Sequence, residues 1–319
     1  MKGSSLKLKT FQELKQDLPE IEKDVLLKNH TTFKIGGPAK YFYKAKTEED
    51  LVQAVKAAKK FKLPFFVLGA GSNLLVSDKG YSGMVIKIEN YEFRVEEKKN
   101  ALKIFCGAGV LLSDLAFNCL KLGGRGIEWA RGVPGTIGGA IFGNAGSFEG
   151  SMADIVGSVE ALDLKSLKIK KFKNKDCFFG YRQSVFKKRK GLVIVSAILN
   201  IQKGDKKGIE KKMEDFLKEK KEKQPLEFPS AGSVFKNPKN FKVDGFNRSA
   251  GWLIEQCGLK GKRIGRAEIS KKHANFIINL GNARAKDVRR LIFLVKKEVE
   301  KKFKVELKEE IRYLGFEEK

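Results

Sequence analysis

Apolar positions recur along this chain with two periods, and the switches between them mark its elements. Behind Thr47-Glu-Glu-Asp50, which resembles a capping box, Leu51, Val52, Val55 and Ala58 fall at helical spacing, predicting a helix that ends before Pro64. Phe65-Phe-Val-Leu68 is an unbroken apolar run and reads as a buried strand entering Gly69-Ala-Gly-Ser-Asn73. Leu74-Leu-Val76 and Met84-Val-Ile-Lys-Ile88 read as further strands, and Leu112 to Leu120 as a helix closed by Gly123-Gly124. Ser158–Leu164 and Leu192–Ile201 read as strands. Residues 205–223 form a basic amphipathic helix with Ile209, Met213, Phe216 and Leu217 on one face.

Gln224-Pro-Leu-Glu-Phe-Pro229 is the clearest boundary, because two prolines end that helix and force an extended connection. Beyond it, Trp252 to Cys257 predicts a short helix, Phe276-Ile-Ile-Asn-Leu280 a strand, and Val288 to Val299 a longer helix. The stretch Val305 to Tyr313 alternates as a strand, with Val305, Leu307, Ile311 and Tyr313 on one face. Glu306, Lys308, Glu310 and Arg312 then point the other way, towards solvent. No internal repeat interrupts the pattern.

One segment follows neither period. Gly132-Val-Pro-Gly-Thr-Ile-Gly-Gly-Ala-Ile-Phe-Gly-Asn-Ala-Gly146 places six glycines in fifteen residues with no charge, so a polar surface linker is the wrong description. Glycine lets main-chain N–H groups approach a ligand with no Cβ in the way. The segment therefore reads as a buried backbone cradle for a large, flat, phosphate-bearing cofactor. The alternative is close packing, with glycine used to save space.

Composition narrows the chemistry. The 319 residues suffice for two or three packed units. No apolar run approaches the roughly 18 residues a membrane helix needs, and Met1 to Lys9 lacks the apolar core of a secretion signal. Cys106, Cys119, Cys177 and Cys257 are scattered without metal-ligand spacing, and only His30 and His273 accompany them, so no metal site and reduced cytoplasmic thiols are expected. The net charge of +27 is skewed: residues 1–150 carry 23 basic against 16 acidic side chains, and residues 151–319 carry 42 against 22. Most of the 24 phenylalanines sit in apolar runs rather than among the basic residues, which favours a small anionic substrate over nucleic acid.

Gly69-Ala-Gly71 follows a strand, but a dinucleotide fingerprint wants a third glycine at position 74 and a helix next. Leu74 and a second strand stand there instead. The turn can still offer amides to a pyrophosphate, or be an ordinary hairpin turn. A lone arginine is by default a surface cation, but Arg182, flanked by Phe179, Tyr181 and Phe186, can also be partly desolvated, where its fork suits a carboxylate or phosphate. Ser233, Lys236 and Asn237 lie between Pro229 and Pro238 and read as ligand contacts, with turn capping the alternative for the serine. His273 and Asn275, before the Phe276 strand, face either ligand or solvent.

Together these blocks resemble the UDP-N-acetylenolpyruvoylglucosamine reductase family. The resemblance runs from about Asn29 to Gly315. It rests on Asn29-His-Thr-Thr-Phe-Lys-Ile-Gly-Gly37, Leu68–Asn73, Gly132–Gly139 with Asn144-Ala-Gly146, Tyr181-Arg-Gln-Ser184, Pro229–Pro238, Ser249–Glu255, Lys272–Phe276 and Glu309–Arg312. The uninterrupted final region resembles the shorter, second type of the family, which lacks a tyrosine-bearing insertion. Gln183 stands where the family often has an acidic residue, and Ser147-Phe148 replaces a small-residue–tyrosine pair.

The resemblance implies an α+β protein: a two-lobed FAD-binding domain of the vanillyl-alcohol-oxidase (PCMH) type, followed by a smaller α/β substrate-binding domain. The expected limits are an N-terminal segment 1–28, lobes 29–110 and 111–224, and a substrate domain 225–319. Tightly held, non-covalent FAD is expected on Gly69, Ala70, Gly71, Ser72 and Asn73 and on Pro134, Gly135, Thr136, Gly138, Gly139, Asn144 and Gly146. NADPH is the implied co-substrate, and UDP-N-acetylglucosamine enolpyruvate the substrate reduced for peptidoglycan synthesis. Arg182 and Glu310 would polarise the substrate carboxylate and Ser233 would protonate the adjacent carbon. Glu310 can do so only if protonated or sharing a proton, which demands a raised pKa. Lys236, Asn237, His273 and Asn275 would line the substrate site. A monomer without nucleic-acid or membrane partners is expected. The alternatives are an oxidase on the same FAD fold and a non-enzymatic basic protein that binds nucleic acid.

Overall fold

The computed structural model describes residues 11–239 and 241–316; the opening Met1 to Lys9 stretch lies outside them. The chain forms two units that are interleaved in sequence. Among the described residues, one takes 11–23, Tyr41–Ala70 and Gly83–Lys218; the other takes Asp24–Lys40, Gly71–Ser82 and those from Glu219 to residue 316. Two early segments thus join the unit built by the C-terminal region.

In the first unit, helix α1 spans Glu48–Lys60 and the capping box forms: Thr47 Oγ1 accepts the Asp50 amide, and the Asp50 carboxylate accepts the Thr47 amide. Its apolar face buries Leu51, Ala54, Val55 and Ala58. Phe65–Leu68 pairs in parallel with residues Met84 to Lys87, so the Gly69–Asn73 turn leaves the carboxyl end of a parallel strand. The larger sheet runs in the order Lys168–Lys173, Val156–Asp163, Leu192–Lys203, Ala101–Gly107, Phe93–Glu97, antiparallel throughout. Helices α2 (Leu112–Lys121) and α3 (Ile137–Gly143) contribute Leu115, Cys119, Ile137 and Ile141 to one core with Ile104, Cys106 and Leu199. Burial pushes the Cys106 and Cys119 thiols up, the latter to about 12. Helix α4 (Lys206–Lys223) buries Ile209 and Met213, as its apolar stripe predicts.

The second unit has an antiparallel sheet in the order Ser230–Ser233, Phe276–Asn279, Ala267–Ile269, Arg263–Ile264. Helix α5 (Ala250–Gln256) is capped by Ser249, whose Oγ accepts the Trp252 amide at 3.1 Å. Helix α6 (Ala285–Phe303) buries Val288, Leu291, Ile292, Val295 and Val299. The early segments join this core because Phe33, Ile35 and Leu75 are buried in it and Leu74–Val76 pairs in parallel with Arg312–Leu314. Asp78 also caps α6 from a distance, its carboxylate accepting the Ala285 and Lys286 amides at 2.8 and 3.2 Å. Among the described residues, no helix is long and apolar enough to cross a membrane.

The predicted terminal strand is corrected. Only Arg312–Leu314 is a strand, and Glu309 makes a single bridge to Phe235. Lys304, in the left-handed conformation, ends α6, and residues 305–311 then follow a segment that offers them no continuous ladder. Leu307 and Ile311 still point inward, but Glu310 is half-buried rather than solvent-facing.

Candidate active site

The two glycine-rich blocks meet in the first unit. A Cβ added at Gly69 would lie 2.5 Å from Thr136 Oγ1, so only glycine permits that approach. Thr136 is the N-cap of α3 and accepts the Gly139 amide at 3.3 Å. Gly135, at φ 140°, turns the chain into the helix. Three amides of the glycine-rich segment are engaged within the chain: those of Ile137 and Gly138 donate to Val110 and Ala108, and that of Gly139 donates to its own cap. At Gly138 glycine serves close packing against Ala108, whereas a Cβ at Gly143 would meet nothing within 4 Å.

At the Gly69–Asn73 turn the balance is reversed. Gly71, at φ 65°, packs on the backbone of His30 and Thr31. Among the described residues, no hydrogen bond of the chain engages the amides of Ala70 and Gly71. Unengaged amides at the carboxyl end of a parallel strand suit a pyrophosphate, so this turn fits the dinucleotide that the sequence implies.

Arg182 is fixed to the end of the glycine-rich segment at three points. Asn144, the left-handed C-cap of α3 at φ 43°, donates from Nδ2 to the Gly180 carbonyl at 3.0 Å and accepts the Ala153 amide on Oδ1 at 3.0 Å. Ser184 Oγ donates to the Phe142 carbonyl at 2.7 Å, and Arg182 Nη1 donates to the Gly146 carbonyl at 3.1 Å. Arg182 itself sits at φ 54°, in a tight turn closed by reciprocal bonds between Gly180 and Gln183. A left-handed non-glycine residue costs about 1–3 kcal/mol and persists only where its surroundings hold it. The Asn144 carboxamide is thus committed inside the protein, and its service to a cofactor is by position.

In the second unit, Ser233 ends a bulged strand. Ser230 pairs with Ile278 and Ser233 with Phe276, leaving one extra residue on the Ser230 side, accommodated by Gly232 at φ 75°. Such bulges re-aim the side chains that follow. Glu310 donates its amide to the Val234 carbonyl at 2.7 Å, while its own carbonyl accepts Asn73 Nδ2 at 3.1 Å. Lys236 donates its amide to Lys308, and Glu309 is gripped by Lys296 Nζ at 3.1 Å and by the Tyr313 hydroxyl at 2.5 Å. Burial, then the Glu309 hydrogen bond, raises the Tyr313 phenol, which keeps it a donor.

The remaining expected contacts divide. Lys236 is half-buried, and Asn237 is exposed, with Oδ1 accepting the Ala250 amide at the start of α5 at 3.0 Å. His273 accepts the Asn275 amide on Nδ1 at 3.2 Å and meets Phe276 edge-on. Burial, reinforced by Lys260, holds its imidazole below the ordinary value, so the neutral form with Nε2–H prevails at neutral pH. Asn275 is not at a substrate surface: it is buried with its carboxamide on the Phe235 backbone.

Contacts therefore bring Gly69, Thr136, Asn144, Gly146 and Arg182 together in the first unit, and Asn73, Ser233, Lys236, Asn275 and Glu310 in the second. Sequence reasoning missed Ser184 as an anchor, Asp78 as a cap and Glu309 as a braced neighbour of Glu310. Ser184 and Asp78 act through backbone partners far away in sequence, and Glu309 through the side chains of Lys296 and Tyr313, which no local pattern announces.

Residues 224–314 match the C-terminal domain of UDP-N-acetylenolpyruvoylglucosamine reductase, and residues 39–167 match an FAD binding domain. A UDP-N-acetylenolpyruvoylglucosamine reductase of Clostridium novyi is 41% identical over 301 residues, covering 94% of each chain. That of Caldicellulosiruptor bescii is 43% identical over 307 residues, covering 95% of this chain and 93% of the relative. The crystal structure of the Thermus caldophilus enzyme superposes with a TM-score of 0.77 at 34% identity, covering 92% of this chain and 99% of that one.

Proposed function

The chain belongs to the UDP-N-acetylenolpyruvoylglucosamine reductase family, and from that premise we propose how its own residues divide the reaction. It is an FAD-containing, NADPH-dependent reductase that converts UDP-N-acetylglucosamine enolpyruvate to UDP-N-acetylmuramate for peptidoglycan synthesis. Residues 29–110 and 111–224 are assigned to FAD, with the Gly69–Asn73 turn and the Pro134–Gly146 segment nearest the cofactor, and residues 225–319 to the substrate.

FAD, held by the Gly69–Asn73 turn and the Pro134–Gly146 segment, would supply the hydride-transfer chemistry between NADPH and the enolpyruvyl double bond. The protein has to hold the substrate carboxylate, oppose the charge that builds towards it, and give one proton to the adjacent carbon. Arg182 takes the second task as a cation fixed before the reaction begins, worth more in a dry site than in water. Glu310 shares a proton with that carboxylate, because a bare carboxylate beside it would repel it. Ser233 gives up its hydroxyl proton, and Lys236 or a water stabilises the resulting alkoxide and returns the proton. Lys236, Asn237 and His273 supply donors to the substrate's phosphates.

The observation that carries this assignment is the bond from Glu310 to Val234, which ties the general-acid strand to the carboxylate-bearing loop. An anaerobic titration tests it. NADPH bleaches the flavin band and the enolpyruvyl substrate restores it; recovery with oxygen alone contradicts the reading and favours an oxidase.

A further inference from the structure

We propose that Asn275 is a positioning residue that sets the aim of Ser233 and the seat of Glu310, and does so through the backbone of Val234 and Phe235. The inference rests on the roles given above to Ser233 and Glu310.

The bulge that re-aims Ser233 also ends the regular ladder, since Ser233 to Phe276 is its last pair. The next residues would lose their partners there, and Asn275 replaces them. Its carbonyl accepts the Val234 amide at 2.8 Å. Its Oδ1 accepts the Phe235 amide at 2.9 Å and its Nδ2 donates to the Phe235 carbonyl at 2.8 Å, so the side chain imitates the edge of a strand. Asn275 is 4% exposed and Phe235 2%, so water replaces neither bond and the carboxamide cannot reach a substrate. The clamped segment is also the one that receives Glu310, through the Val234 carbonyl, and Lys308, through the Lys236 amide. A shift of Phe235 would move Ser233 and Glu310 together.

Only a carboxamide of this length presents a donor and an acceptor side by side. Asn275→Asp keeps shape and volume but sets an acceptor against the Phe235 carbonyl, and Asn275→Ser leaves both groups unmet. Each variant is purified as the flavin-loaded holoenzyme and followed by anaerobic stopped flow beside Ser233→Ala. Both Asn275 variants should be reduced by NADPH within about twofold of the parent rate, and reoxidised by the enolpyruvyl substrate on the order of 10- to 100-fold more slowly. Equal slowing of both half-reactions, unchanged reoxidation, or loss of flavin from both variants would overturn the proposal. If Ser233→Ala itself reoxidises at the parent rate, the underlying reading of the site fails; if Ser233→Ala is slow and the Asn275 variants are not, only the role of Asn275 fails.

Discussion

Arg182 donates from Nη1 to the carbonyl of Gly146, 3.1 Å away, and so fastens the chain's candidate active-site cation to the last residue of its most glycine-rich segment. Asn144 and Ser184 reinforce that attachment from either side, through Gly180 and Phe142. The glycine block thus does more than admit a cofactor. It is the surface on which Arg182 is mounted, and its conformation sets where the guanidinium stands.

Replacing Asn144 should therefore damage Arg182 at a distance. Asn144→Ala removes two partly buried side-chain bonds and puts a less tolerant residue at φ 43°, a loss of about 1–3 kcal/mol. Asn144→Gly relieves the backbone strain but not the lost bonds. Denaturant unfolding should rank the parent above Asn144→Gly and Asn144→Gly above Asn144→Ala, while both variants show slowed reoxidation by substrate. A parent-like rate in both would show that Arg182 holds its place without Asn144.

Asp78 offers a test of the interleaved fold. Its carboxylate serves two amides at the start of α6 although more than 200 residues separate them in sequence. Asp78→Ala should cost about 1 kcal/mol, as for an ordinary N-cap. Asp78→Asn, which keeps an acceptor without charge, should recover most of it. Thermal unfolding of the three proteins decides the point, and an unaffected Asp78→Ala midpoint would contradict the capping role.

His273 gives a pH dependence with a fixed sign. Burial lowers its native value below 6.5, so between the two values the unfolded chain binds more protons than the folded one. Its contribution is therefore intact above 6.5 and is lost as pH falls through that window. With only two histidines in the chain, the imidazole resonances are assigned by single substitution at His30. His273 should titrate below 6.5; a midpoint above it would reverse the sign.

Much of this was legible in sequence, and the exceptions share a cause. The capping box at Thr47, the strand before Gly69 and the apolar stripe of α6 are local patterns, and all three form. The terminal strand failed because alternation fixes which side chains face inward, not whether a neighbouring strand is present to pair with. Asn144 and Asn275 hold backbone groups, a role that the sequence reading did not anticipate. A carboxamide that satisfies distant backbone groups looks, in sequence, the same as one that meets a ligand. The placement of Asp24–Lys40 and Gly71–Ser82 in the second unit was hidden for a similar reason, since it depends on partners in the last hundred residues.

The most direct test of the proposed chemistry is the pair of half-reaction rates in Ser233→Ala. With the flavin-loaded variant under anaerobic conditions, NADPH should bleach the flavin at close to the parent rate. The enolpyruvyl substrate should then restore the band at least about 100-fold more slowly, the loss typical of a missing general acid. Reoxidation as fast as in the parent, or equal slowing of both steps, would contradict the assignment of Ser233 as the group that protonates the substrate.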